Sequence, residues 1–335
     1  MLDNPFLRRA PVALAVGAAA LLAVGCSASS GSAASGTGGS SSSDSITVGY
    51  YDIPATVEIA FAQAKGYFTK VGLNVTLKSL QATEFVPAVT SGQVDVSFGS
   101  LPAVITASSQ NLPVRMLFQS VTVSSDNCPL TLQVLPSSPI TSISQLAGKT
   151  VAVASTGSAQ DLSLNPILVR DGVQVSSVRY LSTGANGPSE LTALQKGTVA
   201  AAIQSEPYST SLVAAKEVRV VSNLCVAPAP AEYGSAGYFT SSSYLSGHKP
   251  ALKRFEQAMA DSDAYINANP KAYDAWLAAR YQLPLAAVEA QHRGTVGVTN
   301  SAGSYSYMVD SMEAEKLPVS GVDQGTLRVP LLIPG

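Results

Sequence analysis

The sequence predicts an α/β protein with two lobes and a cleft between them, and three observations carry this prediction. Stretches of strand and helix character alternate along the chain, and the alternation restarts once, near residue 131. The length of 335 residues is typical of about two domains. Hydrophobic residues make up 46% of the chain, which allows a sizeable core and excludes a wholly disordered protein.

The first 25 residues are predicted to be a signal peptide. Arg8 and Arg9 precede residues 11–24, an uncharged segment of signal-peptide length that is too short to span a bilayer comfortably. Small residues directly before Cys26 resemble the lipobox of bacterial lipoproteins, which implies a lipidated Cys26 as the mature N-terminus. Plain signal cleavage beside an incidental cysteine is the alternative.

A tether is predicted to follow, so that residues 26–45 form a lipidated cysteine and a slack linker. Residues 27–45 contain ten Ser and four Gly, a composition typical of flexible linkers. We therefore expect an exported protein, anchored by lipid to the outer face of the bacterial cytoplasmic membrane.

The first α/β unit is predicted between residues 46 and 128. Short alternating or apolar runs predict strands at residues 46–50, 73–80, 94–98 and 114–121. Helical spacing, with Gly at helix ends or Pro at helix starts, predicts helices at residues 55–65, 84–91 and 101–110. This order favours a parallel sheet.

The second unit is predicted between residues 129 and 225. Its strands are expected at residues 131–135, 151–154, 175–181, 199–204 and 218–224. Its helices are expected at residues 142–147, 159–170, 189–196 and 207–215. From residue 249 onward we expect helices only, among them residues 270–281, 284–292 and 304–316.

Four stretches together resemble one family. They are AKGYFTKVGLNV at 64–75, VTSGQVDV at 89–96, ISQLAGKTVAV at 143–153, and LQKGTVAAA at 194–202 with Glu206 and Pro207 after it. In this order and spacing they resemble the nitrate/sulfonate/taurine and pyrimidine-precursor group of ABC-transporter substrate-binding proteins. Each stretch also has a plain structural cause, since its glycines end helices or turn the chain into a strand.

The resemblance implies a two-lobed, type II periplasmic-binding-protein-like fold with a helical C-terminal segment. Lobe 1 would comprise residues 46–128 and 226–335, and lobe 2 residues 129–225, with ligand bound in the cleft between them. It also implies an ABC permease in the membrane as partner, and we expect a monomer.

Candidate ligand-binding residues lie where predicted strands hand over to helices, because free N–H groups there bind polar ligands. The set is Asp52, Thr83, Glu84, Phe85, Ser100, Ser155, Thr156, Gly157, Ser158 and Glu206. The three carboxylates would suit an amine or an aminopyrimidine and would oppose a bare anion. Helix capping or a favourable first-turn charge is the alternative for each polar member.

Catalytic, metal, cofactor and nucleic-acid roles are not expected. The sequence lacks G-x-S-x-G, H-E-x-x-H, C-x-x-C and G-x-G-x-x-G, and its two histidines lie far apart. A net charge of -2 offers no basic excess for a phosphate backbone. An extracellular hydrolase is therefore only a distant possibility.

A disulfide is predicted between Cys128 and Cys225. These are the only thiols left once Cys26 is lipidated, and exported proteins meet an oxidising environment. The family arrangement places both near the crossings between lobes. Two buried free thiols are the alternative.

The predicted function is an extracytoplasmic solute-binding protein that delivers a small organic or anionic solute to an ABC importer. A sulfonate, taurine, nitrate or a pyrimidine-like compound would fit the family. A ligand-sensing receptor on the same scaffold, feeding a signalling partner, is the alternative.

Overall fold

The computed structural model describes residues 44–156, 158–184, 187–226, 231–314, 316–317, 319 and 321–333. The predicted signal peptide, Cys26, Gly157 and most of the predicted tether lie outside the described residues. Asp44 and Ser45, assigned to the tether from the sequence, instead begin the first strand.

Strands and helices alternate through most of the described chain. The strands are β1 (Asp44–Tyr50), β2 (Leu73–Ser79), β3 (Val96–Ser100), β4 (Val114–Ser124), β5 (Leu130–Val134), β6 (Thr150–Val153), β7 (Arg179–Ser182), β8 (Ala201–Ser205), β9 (Arg219–Asn223), β10 (Glu232–Ser241) and β11 (Thr295–Thr299). The helices are α1 (Glu58–Ala64), α2 (Tyr67–Lys70), α3 (Phe85–Thr90), α4 (Leu101–Ser109), α5 (Ala159–Arg170), α6 (Pro188–Gln195), α7 (Tyr208–Ala214), α8 (Ser242–Ala268), α9 (Pro270–Tyr281), α10 (Leu285–Glu289), α11 (Ala302–Ala314) and α12 (Gln324–Leu327). Helix α8 is kinked at His248, two residues before Pro250.

The strands form two sheets. The first has the order β11-β4-β10-β3-β1-β2 and the second β7-β6-β8-β5-β9. We call the elements on the six-stranded sheet, with the C-terminal helices, the first lobe, and those on the five-stranded sheet the second lobe. The α/β architecture with two sheets matches the predicted fold class.

The chain crosses between the sheets twice. It leaves the first sheet after Ser124 and enters the second at Leu130, and it returns between Asn223 and Glu232. A disulfide joins Cys128 and Cys225, one cysteine from each crossing, and confirms the predicted pairing.

Both sheets are mixed, so the parallel sheet expected for the first unit is wrong. Strands β1, β2 and β3 run parallel, but β10 is antiparallel to β3 and β4. In the second sheet β5 is antiparallel to β8 and β9. The reason is that β5 and β10, the strands that follow each crossing, enter their sheet from the opposite end to their neighbours.

Two strands were missed by the sequence reading. Strand β11 contradicts the expectation of helices only beyond residue 249, and it pairs with the sheet-edge strand β4. Strand β10 contains glycines that weaken strand propensity, yet Gly237 is required there: a Cβ at this position would collide with the backbone of Phe118 on β4. The predicted strand at 175–181 shrinks to β7, because residues 175–177 form a 3₁₀ turn.

Apolar side chains are buried against both sheets. One core, whose members run from Ile46 to Val329, fills the first lobe, and two smaller cores cover the faces of the second sheet. Among the described residues, no helix combines the length and apolar character that crossing a membrane requires.

Candidate ligand-binding site

A cavity of about 340 Å³ lies between the two lobes. The first lobe contributes the middle of β3, the end of β4, the starts of β10 and β11, and parts of α8, α9 and α11. The second lobe contributes the first turn of α5 and the end of β8. The lobes also pack on each other beside the cavity, α5 on α11 and α7 on α10. The cavity is therefore a space between two bodies joined by two chain crossings.

Most of the cavity wall is apolar or aromatic. The apolar part of the wall is formed by Phe98, Val121, Leu162, Ile266 and Met308, and further aromatic rings come from Tyr233, Tyr273 and Tyr307. The rings of Tyr233 and Tyr307 lie 5.0 Å apart, centre to centre. Such a wall fits a small molecule with a hydrocarbon or ring-shaped body.

Glu206, at the end of β8, lines the cavity and is bonded on both carboxylate oxygens. The Thr210 hydroxyl donates to one oxygen at 2.6 Å, the Thr210 N–H to the other at 3.2 Å. The backbone N–H of His292 donates to Glu206 at 3.2 Å. Burial raises the pKa of Glu206, and these hydrogen bonds counter part of the rise. Because His292 belongs to the first lobe, Glu206 ties the two lobes together.

Glu58, at the first turn of α1, lines the cavity from the first lobe and is only 1% exposed. The Tyr238 hydroxyl donates to its Oε1 at 3.3 Å. Burial raises the pKa of Glu58 to about 7, and hydrogen bonds lower it only in part. The carboxyl group is thus poised between its neutral and charged forms near neutral pH.

Asp263, on α8, lies close enough to Glu58 for their charges to interact. It is 1% exposed, and neither of its carboxyl oxygens has a hydrogen-bond partner among the described residues. Burial, with the neighbouring Glu58 charge second, holds the pKa of Asp263 well above its ordinary value.

Arg293 is the one basic residue among the described residues that line the cavity. Its guanidinium forms a salt bridge with the buried carboxylate of Asp274. It also lies over the ring of Tyr273, 5.4 Å from the centre. The charge of Arg293 is therefore paired within the first lobe, although its Nη1 has no hydrogen-bond partner among the described residues.

Asp52, predicted from the sequence, follows β1 but does not line the cavity. It accepts hydrogen bonds from Arg280 at 2.9 and 3.1 Å and from the Tyr281 hydroxyl at 2.6 Å. Burial alone would raise the pKa of Asp52, but the bonds from Tyr281 and Arg280 outweigh burial and leave it lowered. Asp52 thus fastens the loop after β1 to α9.

The other first-lobe candidates also have local partners. Glu84 accepts a hydrogen bond from the Gln81 N–H at 2.6 Å, closing a capping box, and Thr83 is exposed beside it. Phe85 is buried and packs edge-on against Tyr51 and Phe98, so one ring separates it from the cavity.

Ser100 caps α4, accepting a bond from the Ala103 N–H at 3.4 Å. These contacts are what capping and packing alone would produce.

The second-lobe candidates lie next to the cavity wall. Ser158 caps α5, accepting from the Gln160 N–H at 3.3 Å, and the Ser155 hydroxyl donates to the Thr156 carbonyl at 3.4 Å. Thr156 is exposed. The following turn, with Ala159, Leu162 and Ser163, lines the cavity itself. The structure thus brings Glu206 and the start of α5 together at the cavity. The first-lobe candidates do not line the cavity and instead contact residues of their own lobe.

Sequence reasoning missed Glu58, Asp263 and Arg293. A signal for Glu58 was present, since it is the one charged residue between Asp52 and Lys65 in an otherwise largely apolar helix. No signal in the sequence pointed to Asp263, because Asp261, two residues earlier, has the same side chain and is exposed. Which of the two is buried depends on the rotation of α8 against the sheet.

Comparison with known families gives one clear match. The family model described as NMT1/THI5 like matches residues 54–273, more than half of the chain. No curated protein matches the sequence.

Solved structures share the fold. The alkanesulfonate-binding protein SsuA from Xanthomonas axonopodis pv. citri, bound to MOPS, superposes with a TM-score of 0.71 at 17% identity, covering 85% of this chain and 98% of that one. The periplasmic aliphatic sulphonate binding protein SsuA from Escherichia coli gives 0.69 at 17% identity, covering 87% and 94%. The desulfurization enzyme DSZB gives 0.61 at 16% identity, covering 86% and 97%.

Proposed function

As a member of the NMT1/THI5-like family, this chain has a fold that solute-binding proteins also use, and we propose that it binds a small solute outside the cytoplasm and delivers it to an ABC importer. The observation that carries the proposal is the cavity between two lobes joined by two crossings. Its volume of about 340 Å³ lies within the usual range for small-molecule sites.

Lobe closure couples binding to transport. A solute in the cavity contacts both lobes only when they are closed. These extra contacts stabilise the closed arrangement relative to an open one. A permease that recognises the closed surface then distinguishes the loaded protein from the empty one. Glu206 and His292 supply one protein contact across the closing gap.

A thermal-shift screen tests the proposal directly. A solute that binds only the folded protein raises the melting temperature, and sulfonates, taurine, nitrate and pyrimidine-like compounds are the first to try. Ala159→Phe, which fills the cavity from α5, should abolish the shift, whereas Ala214→Phe on the exposed surface of α7 should retain it. A shift of equal size in both variants would place binding elsewhere.

The site residues predicted from the sequence remain part of the proposal. Glu206 and the start of α5 are supported by their position on the cavity wall. Asp52, Thr83, Glu84, Phe85 and Ser100 would need an opened cleft or a rearranged loop to reach solute. Alanine variants of each, titrated with a solute identified by the screen, separate the two groups.

The proposed role is binding and not turnover. The resemblance to DSZB makes a direct check worthwhile, since an enzyme shares this fold. Incubation of the protein with each binding solute, followed by mass spectrometry, should return the solute unchanged. Product formation that Ala159→Phe removes would assign an enzymatic activity instead.

Export and lipid anchoring at Cys26 complete the proposal. The Gly25-Cys26 sequence and the Ser/Gly-rich segment after it support the anchor, and the buried disulfide suits an oxidising compartment. Cys26→Ser should move the protein from the membrane fraction to the soluble envelope fraction or the medium. Retention in the membrane fraction would refute the anchor.

A further inference from the structure

Two buried carboxyl groups lie close together in the first lobe, one of them on the cavity wall. Glu58 reaches the cavity, and the Tyr238 hydroxyl donates to its Oε1. Asp263 does not line the cavity, and both of its oxygens lack a hydrogen-bond partner among the described residues. We call Glu58 and Asp263 the carboxyl pair. Native proteins rarely leave buried polar oxygens unpaired, so this arrangement calls for a partner.

The protein supplies no cation to this pair. Among the described lining residues, Arg293 is the basic one, and it is bound to Asp274. Glu206 on the opposite wall is acidic as well, and its bonds come from Thr210 and His292. The cavity therefore presents an excess of acidic groups to whatever enters it.

We propose that the cavity takes an organic monocation, a protonated amine or amidine on an apolar body, with its charged group against Glu58 and Asp263 behind it. This inference rests on the proposed solute-binding function and names the class of solute. An N–H-bearing cation would bond and neutralise the Glu58 carboxylate while Asp263 keeps its proton, and Phe98, Tyr233, Tyr273 and Ile266 would cover the apolar body. Aromatic faces also attract cations.

Proton occupancy of the empty site supports this assignment. Burial raises the pKa of both members of the pair, so each keeps its proton to a higher pH than an exposed carboxyl group does. The titratable or charged groups around Glu58 are Tyr238 from β10, Tyr273 from α9 and Asp263 from α8, and Arg293 also lines the cavity. A bound cation would take the place of a proton, which leaves to the buffer.

A sulfonate would meet the opposite situation. Its negative charge would face Glu58 and Glu206, and the one basic lining residue among the described residues, Arg293, is already salt-bridged to Asp274. The SsuA structures are named for sulfonate binding, so the inferred solute differs in sign from theirs although the fold is shared.

Three matched series of probes test the charge of the solute. Primary amines from butylamine to 2-phenylethylamine, the corresponding alcohols, and the corresponding sulfonates share their bodies and differ in charge. We expect the amines to raise the melting temperature and the alcohols and sulfonates to leave it unchanged. Equal or larger shifts with alcohols or sulfonates would overturn the inference and leave the proposed function standing. No shift with any series would count against the cavity as a solute site, which is failure of the proposed function.

Three variants test the position of the charged group. Glu58→Gln keeps the size and an acceptor for Tyr238 but removes the charge, and it should weaken amine binding by on the order of ten- to a hundredfold in calorimetry. Asp263→Asn should weaken it by a smaller factor. Glu256→Gln is the control. Glu256 is a buried carboxylate on α8, the helix of Asp263, and it accepts a hydrogen bond from the Leu332 N–H away from the cavity.

We expect the three variants to fold, because each substitution only removes a buried charge. Circular dichroism checks that each variant is folded before its affinity is compared. Calorimetry of the wild type in buffers of different ionisation heat should show proton release near pH 7. Unchanged amine affinity in Glu58→Gln, or an equal loss in Glu256→Gln, would overturn the assignment.

Discussion

The two walls of the cavity hold their carboxylates in opposite ways. On the second-lobe wall, Glu206 is 3% exposed and accepts bonds from two backbone N–H groups and one hydroxyl. In the first lobe, Glu58 on the wall and its neighbour Asp263 are as deeply buried, but Asp263 has no hydrogen-bond partner among the described residues, and the Tyr238 hydroxyl donates to Glu58 only at 3.3 Å. The three carboxyl groups are similarly buried, but they differ in how many hydrogen bonds their oxygens accept.

The difference separates a structural carboxylate from an available one. A buried oxygen whose bonds are complete contributes to stability, and removing it leaves its donors unpaired. A buried oxygen without partners costs stability until a proton or a ligand arrives. Glu206 therefore belongs to the joint between the lobes, and the carboxyl pair is the part of the wall that solute chemistry can use.

The largest effect is expected from the disulfide, because both walls depend on the two crossings staying together. Replacing Cys128 and Cys225 by Ser removes a link across a separation of 97 residues. In the chain-entropy model this costs about 4–5 kcal/mol of unfolding free energy. Urea denaturation of the double variant measures the loss, with reductant added to show that the variant no longer responds to it. A loss below about 1 kcal/mol would contradict the entropic account.

Stability should fall as pH rises toward neutrality, and the first-lobe wall should cause a large part of the fall. Between its ordinary value of 4.5 and about 7, folded Glu58 holds a proton that the unfolded chain has released. The unfolding free energy then drops by roughly 1.4 kcal/mol per pH unit, about 3 kcal/mol in all, and levels off above pH 7.

Glu190 and Glu256, whose pKa values burial raises to about 8 and about 7, act in the same direction. Urea denaturation at pH 5 and pH 7 measures the combined slope. Glu58→Gln should make the slope shallower, and an unchanged slope would show that Glu58 ionises as freely as in the unfolded chain.

Glu206→Ala should destabilise the protein by about 2 kcal/mol, because the Thr210 and His292 donors lose their acceptor. Glu58→Gln is the matched comparison and should change the unfolding free energy by less, or increase it at neutral pH. Denaturant midpoints of both variants at pH 7 measure the contrast. Equal losses would mean that the two walls do not differ in the way their hydrogen bonds indicate.

Asp52→Asn should have the smallest effect. The pair with Arg280 is about one-third exposed on both sides, and such pairs contribute roughly 0.2–1 kcal/mol. The loss should shrink further in high salt, and solute affinity should stay unchanged because the bonds from Arg280 and Tyr281 already occupy the carboxylate. A several-fold loss of affinity would instead return Asp52 to the binding site, as the sequence reading expected.

Local sequence patterns were sufficient to predict most of the helices and strands. Residues 159–170 were predicted as a helix and form α5, and 270–281 form α9, because capping residues, Pro positions and apolar spacing act within the segment itself. The disulfide was predictable too, since the family arrangement and the two remaining thiols pointed to one pair. These features depend on few long-range choices.

Tertiary contacts decided the rest. The direction of β10 and β11 depends on pairing with β4, more than a hundred residues earlier, and the glycine that permits close packing of β10 also hides it as a strand. The site differs from the prediction for the same reason. Asp52 and Glu58 look alike in the sequence, but packing gives Asp52 an arginine and a tyrosine as partners and buries Glu58 beside Asp263. The sequence alone determined which carboxylates exist and where helices begin, while the environment that sets the charge of each carboxylate was created only when α8 and α9 packed against the first sheet.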